Sequence, residues 1–352
     1  MQDIARFLPW QTPLASEWLG RQDRFAHAWL VHGLPGIGKR QFIQAAAASL
    51  LCEARQAGLA CGRCEACVWL AAGNHPDLRL LRPDAVAAQE GGEVPEDTAG
   101  ADATAPKKAL SRDIRIEQLR SLHDWFNTAT HRGGWRVAVL YPAEALNGIS
   151  ANALLKVLEE PPEHTIFLIA ADAPDRLLPT LVSRCRRLPL PVPAKAQCAQ
   201  WLADQGIDEP AQWLAAAGGA PLLALQLAQS GETACPEWLM QLIQPLSKGE
   251  TVDIGPVADL LEKQPAVAWV DVLQRFFVDL ILAASGAPVR YFPSMAEKIA
   301  ATAQAASLAS LSETARWLSL QRAVADHPLN AKLLTHSALQ RVALACRTMA
   351  HS

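Results

Sequence analysis

From Trp29 to about Pro193, short apolar runs alternate with segments of helical periodicity. Trp29–His32, Leu78–Leu81, Val137–Leu140, Thr165–Ala170 and Arg187–Leu190 read as strands. Between them Phe42, Ile43, Ala46, Ala47, Leu50 and Leu51 recur at helical spacing, as do Ile116, Leu119, Leu122 and Phe126. Alternation of this kind predicts an α/β domain over residues 1–192, a parallel sheet covered on both faces. Residues 84–108 break the pattern with six carboxylates, two prolines and no apolar residue larger than Val. Such a stretch has too little to bury and is expected to be a flexible surface insertion.

Beyond Pro189-Leu190-Pro191-Val192-Pro193 the strand-like runs stop, and Ala, Leu, Gln and Trp follow with helical periodicity. Gly218-Gly219-Ala220-Pro221 punctuates a small helical unit, and Cys235-Pro236 followed by Gly249 suggests a boundary near residue 240. The expected organisation is therefore a small helical domain over 193–240 and a larger helical domain over 241–352.

Gly33-Leu34-Pro35-Gly36-Ile37-Gly38-Lys39 lies between a strand and an apolar-periodic helix, the context a phosphate-binding loop requires. Gly33, Gly36 and Gly38 let backbone N–H groups face an anion, and Lys39 adds a point charge. Other parts of an ATPase site are missing. The position after Lys39, where a hydroxyl should hold Mg²⁺, is Arg40, which repels a cation. The strand Val137–Leu140 leads into Tyr141-Pro142-Ala143-Glu144 in place of an acidic pair, and Glu144 reads as a solvated loop or helix-start carboxylate. Hydrolysis is not expected, while nucleotide binding without hydrolysis stays open on these residues.

Cys52, Cys61, Cys64 and Cys67 have the spacing of a tetrahedral thiolate site, with Gly62 and Arg63 in the first tight turn. An iron–sulfur cluster is the rival, but its run would continue with another Cys three residues on, where Cys67 leads into Val68-Trp69-Leu70. Four thiolates leave no open position for a substrate water, so the expected cofactor is structural Zn²⁺. Cys185, Cys198, Cys235 and Cys346 stand apart and read as small buried hydrophobes.

Among the 352 residues, 32 Lys and Arg against 35 Asp and Glu leave a net charge of −3, which argues against wrapping nucleic acid by bulk charge. The charges within residues 52–67 cancel, which weakens a zinc-dependent nucleic-acid-binding module as the function. No apolar run long enough to cross a membrane and no leader pattern are visible, so a cytoplasmic location is expected. Arg184, in Ser183-Arg184-Cys185 ahead of the last strand, is at the domain rim and is either an ordinary surface ion-pair residue or an arginine finger for a neighbouring subunit.

Five stretches together carry a family resemblance. They are His32–Lys39, the four-Cys module, Ile114–Arg120, Asn152-Ala153-Leu154-Leu155-Lys156-Val157-Leu158-Glu159-Glu160-Pro161-Pro162, and Ser183-Arg184-Cys185. In that order they resemble the clamp-loader AAA+ proteins of bacterial DNA polymerase III, with a weaker C-terminal echo at Leu329–Leu334. The resemblance implies an AAA+ domain, a helical lid over 193–240 and a helical collar over 241–352. It further implies a subunit with a disabled site that assembles with gamma/tau and delta subunits. Arg184 would reach the ATP site of an adjacent gamma or tau subunit, and the sliding clamp and primer–template DNA would be met through the complex. The family's second sensor arginine is not matched at Pro221 or Leu222, which argues against a working nucleotide site. An ATP-hydrolysing gamma/tau-like subunit is the alternative and would need the Mg²⁺ ligands this chain lacks.

Overall fold

A computed structural model describes residues 4–21, 25–91, 110–131, 133–231, 233–325 and 331–347. The chain divides into two compact units, Met1–Ala194 and Lys195–Ser352.

The first unit is built on five parallel strands, β1 (Ala28–His32), β2 (Leu78–Leu81), β3 (Arg136–Leu140), β4 (Thr165–Ala171) and β5 (Arg186–Pro189), in the order β2-β3-β4-β1-β5. All five strand expectations hold to within one residue at each end. The central strands β3 and β4 are buried throughout, whereas β2 and β5 at the edges expose alternate or successive residues, so apolar continuity follows position in the sheet. Alternation along the strands divides the core in two. Trp29, Val31, Val137, Val139, Ile166 and Leu168 point to one face. Ala28, Leu30, Ala138, Leu140, Phe167 and Ile169 point to the other.

The helices of this unit are α1 (Thr12–Leu19), α2 (Lys39–Leu51), α3 (Glu65–Ala71), α4 (Asp84–Gln89), α5 (Ile116–Phe126), α6 (Gly148–Glu159) and α7 (Pro179–Arg184). Helices α1 and α2 cover the first face through Leu19, Phe42 and Ile43. Helices α5, α6 and α7 cover the second through Leu122, Leu154 and Leu181. The chain leaves β1, whose neighbours are β4 and β5, and returns at the far edge as β2, so the loop after β1 lies where the strand order reverses. Ligands of open α/β sheets bind at such a switch point, outside the carboxyl ends of the strands.

One expectation is corrected. Asp84–Gln89 is helical, with Asp84 and Ala87 buried, because Asp84 is held by Arg115 at 3.2 Å and the helix packs its small residues inward. The flexible insertion therefore cannot begin at Asp84; residues 92–108 lie outside the described residues, as do Leu329 and Asn330 of the C-terminal echo.

The second unit is helical: α8 (Lys195–Asp204), α9 (Pro210–Ala216), α10 (Pro221–Gln229), α11 (Glu237–Leu246), α12 (Gly255–Leu261), α13 (Ala266–Ala284), α14 (Ala296–Ala305), α15 (Leu308–Val324) and α16 (Ala331–Ala345). Its core centres on α13, whose Trp269, Leu273, Phe276, Phe277 and Leu280 are fully buried. Residue 240 falls inside α11, so a domain boundary cannot cut there without breaking a helix that buries Trp238, Leu239, Leu242 and Ile243. Asp279 is fully buried and accepts backbone N–H bonds from Arg290, Tyr291 and Phe292, so the loop after α13 answers the buried carboxylate with its own donors.

Candidate functional site

The loop Gly33–Gly38 leaves β1 and opens α2. Gly33 is a close approach: a Cβ there would meet the Leu190 carbonyl at 2.8 Å and Ile37 at 2.9 Å. Gly36 and Gly38 take the left-handed φ values 74° and 94° that wind the loop around its own amides. Gln11 donates to the carbonyls of Ile37 and Gly38, and Trp10 to that of Ile37, which pins the loop from the N-terminal segment.

Lys39 is buried and fully engaged. Its ammonium has three N–H donors. They meet the Gly33 carbonyl at 2.8 Å, the Leu34 carbonyl at 2.5 Å and the Asp172 carboxylate at 2.5 Å. Asp172 follows β4 directly, and its backbone N–H, like that of Ala173, donates to Glu144 at 2.6 Å. Glu144 stands in the first turn of the short 3-10 helix Ala143–Ala145, as the helix-start reading has it, but it is not solvated: it clamps the end of β4 beside the loop.

The two positions where Mg²⁺ ligands are missing meet on one carboxylate. Arg40 pairs with Glu90 at 2.6 Å, and Tyr141 donates its hydroxyl to Glu90 at 2.8 Å. Arg82 pairs with Glu90 as well and donates to the Tyr141 oxygen at 2.8 Å, and Gln44 donates to that oxygen at 2.9 Å. Burial pushes the Tyr141 phenol up to about 12, so it stays a neutral donor. Two guanidiniums and a phenol engage the one carboxylate of this cluster, and the positive charge they place around it disfavours a divalent cation.

At the end of α2 the chain turns into the cysteine module. Gln56 and Leu59 exchange backbone hydrogen bonds, Gly62 turns at φ 76°, and α3 follows with Cys64 at its N-cap. The four Sγ atoms of Cys52, Cys61, Cys64 and Cys67 lie within 4.8 Å of one another, and those of Cys52 and Cys64 are 3.8 Å apart. A tetrahedron with about 2.3 Å metal–sulfur bonds has edges of about 3.8 Å, so the quartet is sized for one ion. N–H groups of Arg63 and Cys64 pull the Cys61 thiol down to about 6, while burial pushes Cys52 and Cys67 up. A cation among the four would favour thiolates throughout.

Arg184 is at the other edge of the sheet. Parallel pairing sets Trp29 level with Arg186 and His32 level with Pro189, so Arg184, which ends α7 just ahead of β5, is at the amino end of the strands and the phosphate loop begins beyond His32 at their carboxyl end. The paired length of β1 and β5, about 10 Å at about 3.3 Å per residue, stands between them. Arg184 donates to the Thr180 carbonyl at 2.9 Å and pairs with Glu159 at 2.5 Å, with about a third of its side chain exposed. The fold therefore brings together Gly33, Gly36, Gly38 and Lys39, and separately the four cysteines, but leaves Arg184 apart from both. Asp172, Glu90 and Arg82 were not singled out by sequence reasoning, and Glu159 was noted only within its helix-end motif, not as a partner of Arg184. Asp172 had a usable signal, an acid closing a buried apolar run; Glu90 had none, being embedded in an acidic stretch without periodicity.

Residues 17–194 match the family model described as DNA polymerase III, delta subunit. DNA polymerase III subunit delta' of Pseudomonas aeruginosa is 38% identical over 266 residues, which cover 74% of this chain and 73% of that one. The delta' subunit of Yersinia pestis is 37% identical over 276 residues, covering 75% and 74%. Subunit gamma/tau of Mycobacterium tuberculosis is 32% identical over 166 residues, covering 47% of this chain and 24% of its own length. With a five-stranded parallel sheet, a four-cysteine module after α2 and similarity to delta' proteins along about three quarters of its length, the chain belongs to the delta-prime subunit family of bacterial DNA polymerase III.

Proposed function

We propose that this clamp-loader subunit hydrolyses no ATP itself and serves its assembly by supplying Arg184 in trans to the ATP site of an adjacent gamma/tau subunit. One observation carries the non-hydrolysing half: every donor of Lys39 is taken within the chain, and Arg40 and Tyr141 are joined to Glu90 where a metal would need ligands. ATP hydrolysis needs a cation bridging the β- and γ-phosphate oxygens, and nothing in this arrangement would hold one. The loop keeps the shape of Gly33, Gly36, Gly38 and Lys39 without that chemistry. The distance of Arg184 from its own loop supports a role outside this chain.

In the same reading, Cys52, Cys61, Cys64 and Cys67 hold one structural Zn²⁺ that ties α2 to α3. The helices α8–α10 act as the lid and α11–α16 as the collar that joins gamma/tau and delta subunits. The sliding clamp and primer–template DNA are engaged through that assembly, in the cytoplasm. Among the described residues no helix is long and apolar enough to cross a membrane.

The test is reconstitution. The purified chain alone should show no ATP turnover above background and about one zinc per chain by elemental analysis. Mixed with gamma/tau and delta, it should enter one complex that loads clamps onto primed DNA. Turnover by the chain alone that disappears in Lys39→Ala would overturn the non-hydrolysing reading, and iron in place of zinc would overturn the metal assignment.

A further inference from the structure

We propose that Glu159 is the positioning residue of Arg184, an inference that rests on the trans role proposed for that arginine. Helix α6 ends at Glu159 because Pro161 and Pro162 follow and offer no N–H to continue it. The carboxylate is thereby held at a helix C-terminus, where the macrodipole disfavours negative charge and a cation is needed beside it. Helix α7 ends at Arg184 and brings that cation to it. The guanidinium is held at two different nitrogens: Nη2 donates to Glu159 Oε1 at 2.5 Å and Nη1 to the Thr180 carbonyl at 2.9 Å. Two anchors fix the plane of the fork, and among the described residues the other three of its five N–H groups have no partner.

Glu159 is about half exposed and Arg184 about one third, so the pair contributes little to folding, on the order of 0–1 kcal/mol. Its effect lies in presentation. An arginine finger acts on charge that develops in the transition state, and a fork already fixed in plane gives up less rotamer freedom when it meets that charge. The carboxylate also offsets the charge of Arg184 toward a ground-state nucleotide, so its removal should not weaken ATP binding at the neighbouring site.

The experiment is a cycle in the assembled clamp loader. ATP hydrolysis is measured with clamp and primed DNA for wild type, Glu159→Ala, Glu159→Gln, Arg184→Ala and the Glu159→Ala/Arg184→Ala double variant, with complex size and melting temperature of each subunit as controls. The component of turnover that Arg184→Ala removes is the reference. Glu159→Ala should lower kcat of that component about tenfold, roughly 1.4 kcal/mol, with KM for ATP unchanged within about twofold. Glu159→Gln, which keeps an acceptor oxygen, should recover part of the loss. The double variant should be no worse than Arg184→Ala. An Arg184→Ala complex with normal turnover sinks the trans role itself. A damaged Arg184→Ala complex beside wild-type kcat in both Glu159 variants sinks only the positioning role, as does an additive loss in the double variant. A rise in KM with kcat preserved also counts against it.

Discussion

The two edges of the first unit's sheet carry similar charges to opposite ends. At the carboxyl edge Lys39 and Arg40 are paired, with all three Lys39 donors saturated and Arg40 bound to Glu90. At the amino edge Arg184 is also paired, yet it is partly exposed and keeps donors without a partner among the described residues. On the proposed reading, the comparison teaches that a motif cation is available to a partner only while it has donors left for something outside the chain. A glycine loop with its lysine is compatible with a silent site, and an unremarkable arginine on a short helix with an active one.

The largest effect should come from the open edge. Arg184→Ala in the assembled complex should slow the one ATP site it serves by about 10³–10⁵, some 4–7 kcal/mol, while total hydrolysis falls only in part because other sites keep their own fingers. Arg184→Lys should not restore it, since a point charge cannot reproduce the planar fork. Unaltered clamp loading in Arg184→Ala would break the comparison from this side.

The sealed edge should answer in stability. Glu90→Ala leaves Arg40, Arg82 and Tyr141 facing one another without their shared acceptor. Because Glu90 and Arg82 are mostly buried, the loss should approach the range for breaking a buried pair, about 2–3 kcal/mol, and no ATPase activity should appear. Thermal denaturation measures the first part, and a melt indistinguishable from wild type would mean that the network does not hold the region closed.

Smaller still is the expected effect of Lys39→Met. It removes the charge and the donors to the Gly33 and Leu34 carbonyls but keeps the stem, so stability should fall by about 1–2 kcal/mol and loading should stay within about twofold of wild type. Severe loss of loading would show that the loop binds a nucleotide after all.

The smallest signal is alkaline. The Tyr141 phenol is raised from 10.0 to about 12 in the folded chain, so an unfolded chain sheds that proton first as pH rises. Between those values the unfolded state binds fewer protons, and stability declines with pH; below about 10 the contribution is complete. Tyr141→Phe should flatten part of this decline in denaturant titrations across pH 9–12.

Much of the first unit was legible because its signals are local. Fully apolar runs such as Ile166–Ala171 have one arrangement that satisfies both burial and backbone hydrogen bonding, the middle of a parallel sheet. The cysteines were legible for a similar reason: short spacings leave little freedom about which sulfurs can meet. The stretch after Leu81 was misread because composition is a poor guide where a few contacts suffice. Asp84 is ordered by Arg115 from α5, and Glu90 by Arg40 from α2 and Tyr141 from the end of β3, partners far away in the chain. For Glu144 the helix start was legible and its partners were not, since they are amides beyond another strand.

The sequence by itself determined the α/β class, the strand positions, the loop with its glycines and lysine, the thiolate quartet and the loss of metal ligands at Arg40 and Tyr141. These depend on residue type and short-range spacing, which the chain carries without folding. Only the tertiary structure decided that Lys39 is spent on Asp172, that Arg40 and Tyr141 share Glu90, and that Arg184 stands on the opposite edge in the grip of Glu159. Whether a charged group has donors to spare depends on which other groups arrive within hydrogen-bond reach. In this chain those partners come from separate strands and helices, and the packing of the sheet selects them.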